Sequence, residues 1–177
     1  NNKKIHTYYN MDISKSLSGT DILDQVKCNL IQYKDVNKYK SIEELLGKYK
    51  KCVILYHTKR DYGHWTCLYE YNGTIFFFDS YGFIPDDELK FLHKDLKAEL
   101  NSNHRYLTQL LYNSNKKVEY NEYPLQERKK NINTCGRWCI LRLKYPAITV
   151  DNFYDTFKQS SRYISNDKLI CLLVPIK

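Results

Sequence analysis

Strand-like runs set among many helical segments predict an α+β or α/β fold. Three observations carry this reading. Apolar, partly β-branched runs at residues 51–57, 64–71 and 74–79 have strand length and polar boundaries. Ser41 and Ser165 sit where helix N-caps belong, and leucines recur at helical spacing after Asp86. Asn72-Gly73 joins two of the strand runs, and Asn-Gly is the strongest short-range hairpin signal because both turn residues must adopt positive φ.

In chain order, residues 18–28 read as a short helix with Ile22, Leu23 and Val26 on one face. Ser41-Ile42-Glu43-Glu44 has the capping-box pattern and opens a helix to about residue 49. The 51–57 run is a buried strand, followed by the 64–79 hairpin. After the turn residues Tyr81-Gly82, Asp86 is read as the cap of a helix carrying Leu89, Leu92, Leu96 and Leu100. Residues 105–112 are helical and 117–120 form a short strand. Residues 135–144 form a helix with Cys139, Ile140 and Leu143 facing inward and Pro146 beyond its end. Helices at 150–158 and, after the Ser165 cap, at 166–173 complete the chain.

Composition bounds the classes. With 177 residues, 42% hydrophobic and 27% charged, the chain suits one globular domain, 1–177, and not a disordered segment. No apolar run approaches the roughly 20 residues of a membrane span. Residues 1–9 are polar and basic, unlike a secretion signal, and the missing initiator Met suggests a trimmed chain. Six cysteines without an export signal, four of them inside apolar runs, are expected to be reduced, intracellular thiols. No Cys-x-x-Cys pair or His-Glu-x-x-His is present, so no metal site is expected. The net charge of +8 favours polyanions such as nucleic acid. Its bland counterpart is composition, since Lys, Asn, Ile and 17 Tyr fit an A/T-rich coding sequence.

The hairpin carries the chemistry. A two-residue turn pairs Tyr71 with Thr74, so Thr66 faces Asp79 and His64 faces Tyr81. His64 and Asp79 become diagonal neighbours on one side, about 5–8 Å apart, close enough for a ring N–H to carboxylate bond. The nucleophile is sought in Asn133-Thr134-Cys135-Gly136, where Cys135 opens a helix whose free N–H groups and dipole stabilise a thiolate. Gly136 lets a substrate backbone approach. An oxyanion needs two donors, and the Cys135 N–H and the Gln126 side chain are the candidates, with Gln109 and Asn133 as alternatives to Gln126.

The order His, Asp, Gln, Cys, with Gly63-His64-Trp65, Asp79-Ser80-Tyr81-Gly82 and Thr134-Cys135-Gly136, resembles the adenovirus protease and SUMO-protease superfamily of cysteine peptidases. The likeness is strongest to capsid-maturation proteases of large DNA viruses, virophages and Maverick-type elements. It covers about residues 53–143. It implies an α+β fold with a small central mixed sheet packed between helices, and a papain-like site in permuted order. His64, Asp79, Cys135 and Gln126 are the implied catalytic set. Trp65, following the histidine, and Gly136 are expected to meet the substrate. The implied activity is cleavage of capsid or core precursors beside small, Gly-Gly-like residues. It would act in the infected-cell cytoplasm or virus factory and be packaged in the virion, as a monomer and without a membrane. No cofactor is required on this reading, while DNA or a peptide is an expected activator. Two other functions remain open: a ubiquitin-like-protein isopeptidase, and a basic nucleic-acid-binding module with a vestigial triad.

Overall fold

A computed structural model describes residues 11–59 and 62–176. Five strands form one mixed sheet: β1 (Asn29–Gln32), β2 (Lys51–Lys59), β3 (Tyr62–Tyr71), β4 (Thr74–Phe78) and β5 (Val118–Tyr120). They lie in sequence order across the sheet, parallel at both edges and antiparallel in the middle. Helices α1 (Gly19–Leu23), α2 (Ile42–Leu46), α3 (Lys94–Glu99), α4 (Tyr106–Asn113), α5 (Cys135–Lys144), α6 (Val150–Ser160) and α7 (Asn166–Leu173) surround it. The fold is therefore α+β.

Strand alternation gives the sheet two apolar faces. Cys52, Ile54, Leu68, Ile75 and Phe77 pack with α2 and α4. Val53, Trp65, Cys67, Tyr69 and Phe78 pack with α5, α6 and α7. Helix α5 lies against β3 and is buried from Cys135 to Leu143. Its buried Arg142 is accommodated by specific partners. The Arg142 guanidinium lies over the Tyr69 and Phe153 rings, at 5.1 and 4.9 Å, and donates to the carbonyls of Tyr145 and Ile148.

Most elements fall where the sequence places them, α5 and α7 to the residue. Two differ. Helix α1 ends at Leu23, which is exposed while Ile22 and Val26 are buried. Asp86 does not cap the helix that follows it. Its backbone has φ 67°, and its carboxylate accepts the Tyr56 hydroxyl at 3.0 Å and the Thr108 N–H at 2.8 Å. It thus caps α4 from a distance. The expected leucine helix splits into a 3-10 turn (Asp87–Phe91) and α3. At Ser41 the cap on Glu44 N–H forms, but the Glu44 carboxylate reaches back to the Lys40 N–H instead of the cap residue's own.

Gly73 and Gly82 share the same left-handed φ, 78° and 77°, in different surroundings. A Cβ on Gly73 would meet nothing within 4 Å, whereas on Gly82 it would lie 2.8 Å from the Tyr123 backbone. Gly73→Ala is expected to cost about 1 kcal/mol through φ alone. Gly82→Ala, which must also displace the backbone of Tyr123 and Pro124, is expected to cost at least twice that. Urea unfolding of the two variants side by side measures the difference; equal losses would contradict it.

Candidate active site

The hairpin register is the one its turn chemistry demands. Asn72 and Gly73 have φ 48° and 78°, Tyr71 pairs with Thr74, and the ladder runs to Cys67 opposite Phe78, where β4 ends, so the expected pairs of Thr66 with Asp79 and His64 with Tyr81 are not part of it. Asp79 follows directly, and its buried carboxylate accepts the His64 Nε2–H at 2.8 Å. The same oxygen accepts the Tyr81 backbone N–H at 2.7 Å, fixing the carboxylate in a tight turn. Because an ionised carboxylate only accepts, Nε2 carries the proton and Nδ1 is left for the thiol. The Cys135 side chain lines the same cleft as His64 and acts on its ring electrostatically. The Tyr81 ring stacks on the imidazole, centroids 4.3 Å apart and 10° from parallel. Burial alone disfavours the imidazolium, but the Asp79 carboxylate and the Cys135 thiol outweigh it and hold the His64 pKa well above the ordinary value.

Cys135 opens α5, where first-turn N–H groups lack intrahelical partners. Thr134 does not cap its own helix; its hydroxyl donates to Asp167 of α7. The other Asp167 oxygen accepts the Glu127 N–H at 3.0 Å, so one buried carboxylate ties the start of α5 to the segment after Gln126. Nothing in the sequence marked Asp167 apart from any other residue in a helix's first turn.

Residues 12–17 form a strap behind the nucleophile. Asn133 donates its backbone N–H to the Ile13 carbonyl at 2.8 Å and its Nδ2 to the Ser14 carbonyl at 2.6 Å. Here two expectations fail. Trp65 does not line the cleft, because alternation turns it to the opposite face of β3 from His64. It is buried against α5, with its indole N–H donating to the Leu17 carbonyl at 2.9 Å. Gly136 is buried too, and a Cβ there would meet the Leu17 side chain at 3.0 Å. Both residues seat the strap rather than meeting a substrate.

Gln126 does reach the cleft shared by His64 and Cys135. The Asp79–Gly82 turn holds it: the Ser80 carbonyl accepts the Leu125 and Gln126 N–H groups, and the Ser80 hydroxyl donates to Gln126 Oε1 at 2.7 Å. The Gln126 Nε2 donates to the Ile132 carbonyl at 3.1 Å, and the Tyr81 hydroxyl lies 3.4 Å from it. Residues between Gln126 and Thr134 thus close an ordered loop. Of the alternatives, Asn133 lines the cleft with its amide nitrogen committed to Ser14, while Gln109 sits on α4 in a separate depression near Val36. His57 has burial and Lys34 lowering its pKa and, among the described residues, no carboxylate partner. His93 and His104 are exposed, and His6 lies outside the described residues. All six cysteines are free and buried, Cys139 within the core.

The cleft, about 590 Å³, also contains Glu88, which the sequence reading missed. Glu88, on the 3-10 turn after Asp86, is 5% exposed and its Oε1 has no partner. Burial pushes its carboxyl up to about 7; His64 and Arg128 pull it down and Asp79 pushes it up. Single ligand atoms of His64, Asp79 and Glu88 lie within 4.8 Å of one another, the one such group among the described residues. Spacing rules do not find this group, because its members come from a strand, a turn and a 3-10 segment.

No protein-family model matches the chain. It is 36% identical over 163 residues to "Uncharacterized protein V9" of Sputnik virophage, across 89% of this chain and 93% of that protein. Among solved structures, the ASFV pS273R protease superposes with a TM-score of 0.50 at 11% identity, over 94% of this chain and 69% of that one. The C-terminal Ulp1 protease domain, solved with Smt3, the yeast ortholog of SUMO, gives 0.38 at 14% identity, over 93% and 78%. The viral protease structure has the same fold as this chain.

The raised Glu88 pKa has a definite sign. The folded carboxyl holds its proton more tightly than the unfolded one, so its contribution is full below 4.5 and lost as pH rises through about 7. Glu88→Gln keeps the uncharged form at every pH. It is expected to be more stable than the wild type above pH 7 by about 1–3 kcal/mol, the excess vanishing toward pH 4.5. Thermal unfolding across that range checks it, and a pH-independent difference would refute it.

Proposed function

The chain belongs to the family of the Sputnik virophage protein V9, and from that premise and the fold we propose that it is a cysteine endopeptidase of virion maturation. The observation carrying the proposal is a buried imidazole bonded to a carboxylate and sharing one cleft with a helix-start thiol. A lone thiol or a lone histidine has many structural uses. The ordered set in a peptide-sized cleft has few.

In this mechanism the Cys135 thiolate, paired with His64 imidazolium, attacks the scissile carbonyl carbon. Negative charge develops on the carbonyl oxygen, where the Cys135 N–H and the Gln126 amide donate. To do so the Gln126 amide turns its second N–H away from the Tyr81 hydroxyl. The imidazolium then gives its proton to the departing amine, leaving a thioester. A water, deprotonated by His64, attacks the thioester carbon and restores the thiol while releasing the new carboxyl terminus. Asp79 keeps the ring in the tautomer that makes both transfers work.

The substrates we propose are capsid or core precursors, cleaved beside small residues such as Gly-Gly. That choice is supported by the virophage relative and by the motif likeness. Action in the virus factory with packaging into virions, and activation by DNA or a peptide, belong to the same proposal. The net charge of +8 supports a salt-sensitive, sequence-tolerant affinity for DNA. No helix among the described residues is long and apolar enough to cross a membrane.

Incubation with capsid precursors of the parent virus is expected to give discrete products that a Cys135→Ala control does not. Identical patterns from the two proteins would end the proposal. Asp79→Ala is expected to lower kcat by about 10³-fold or more. A ubiquitin-like vinyl-sulfone probe is expected to label Cys135 poorly; rapid labelling would move the assignment to an isopeptidase. Added DNA at low salt is expected to raise the rate, and an unchanged rate would remove DNA as activator.

A further inference from the structure

Building on the peptidase reading, we propose that Arg128 is a specificity determinant that receives a substrate carboxylate within about three residues of the scissile bond. Arg128 follows Gln126 by two positions and lines the same cleft as His64 and Cys135. Its guanidinium lies over three rings, 4.5 Å from Phe91, 5.0 Å from Phe83 and 5.5 Å from Tyr81. Stacking on rings uses the flat faces of the guanidinium and leaves its in-plane N–H fork open. Among the described residues that fork makes no ion pair, while the neighbouring Lys129 is paired with Glu127.

Such an arginine is held in place by apolar contacts and has its donors unspent. Its natural complement is a carboxylate, which two parallel N–H groups can grip at once. The acid that shares the cleft does not fill this role, because Glu88 forms no ion pair with Arg128 and burial pushes it up to about 7. Lys59, Lys129 and Lys130 line the same cleft, so its field favours an acidic segment. A cleft of about 590 Å³ has the scale of a peptide and not of a nucleic-acid duplex.

The position of the carboxylate follows from Tyr81. Its ring lies 5.5 Å from the Arg128 guanidinium and 4.3 Å from the His64 ring, and these two distances bound the separation of Arg128 from the catalytic imidazole. An extended peptide advances ~3.3–3.6 Å per residue, so it covers that span in about three residues. The feature to look for is an Asp or Glu near the cleavage point, in addition to small residues at the bond itself.

The test uses fluorescent peptides with a central Gly-Gly. Each carries Asp, Asn or Lys at one of the three positions on either side. Binding to the full chain carrying Cys135→Ala is read by anisotropy, which needs no turnover. Asp is expected to bind about tenfold tighter than Asn at one position or more, and Lys weaker than Asn. Adding Arg128→Gln should bring the Asp-to-Asn ratio close to one, and Arg128→Glu should invert the preference toward Lys. A ratio near one at all six positions in the parent overturns the proposal. So does an Asp preference that survives Arg128→Glu. If Arg128→Glu weakens binding of a short DNA duplex while leaving the peptide ratio intact, the arginine serves polyanions and the proposal is also overturned. Iodoacetamide labelling of Cys135 in the otherwise wild-type chain is followed in parallel. A Cys135 no more reactive than the other cysteines counts against the peptidase reading itself, whatever the peptides show.

Discussion

The buried bond between the His64 ring and the Asp79 carboxylate constrains everything around it. Removing one partner from a buried charge-assisted pair costs about 3–5 kcal/mol, so the hairpin must present both groups at once. A slip of one residue in β3 against β4 would send His64 to the other face and leave Asp79 unpartnered. The Asn72-Gly73 turn, which admits a single register, is therefore a catalytic constraint as well as a folding one. The Asp79–Gly82 turn extends the constraint, because the residues that lock the carboxylate also hold Gln126 and stack Tyr81 on the imidazole.

Three buried carboxyl groups near the cleft have separate tasks because their surroundings differ. Asp79 has the ring N–H and a backbone N–H on one oxygen. Asp167 has the Thr134 hydroxyl and the Glu127 N–H, and it acts as a tether between the two segments that carry Cys135 and Gln126. Burial nevertheless pushes the Asp167 pKa upward, against those hydrogen bonds. Glu88 Oε1, like Asp79 Oδ2, has no hydrogen-bond partner among the described residues, and burial pushes the Glu88 carboxyl up to about 7. Burial raises both Glu88 and Asp167, and the donors on Asp167 pull against it.

The nucleophile is held from behind as firmly as from the front. The 12–17 strap crosses the start of α5 and takes up hydrogen bonds from Asn133, Trp65 and Arg137. Small volume at Gly136 lets Leu17 close against the helix. A residue that sequence logic assigns to substrate contact can thus serve the opposite side of the same thiol. The error has a physical origin: glycine after a nucleophile signals close approach, but the sequence does not say by what.

Local chemistry alone determined a good deal. Turn residues with positive φ specified the hairpin register as far as Cys67 and Phe78, and the pattern 135–144 specified the helix that begins at Cys135. These rest on interactions between near neighbours in the chain, whose geometry depends little on context. Only tertiary structure decided the rest. Asp86 turned from capping its own helix to capping α4, Trp65 turned inward to the strap, and Glu88, Asp167 and Arg128 gathered around the cleft. Each depends on partners tens of residues away, and a side chain with several possible partners takes the one that packing brings closest. Pairings within a strand and its hairpin partner are written in the sequence, while the supports of a site are settled when helices and loops close on the sheet.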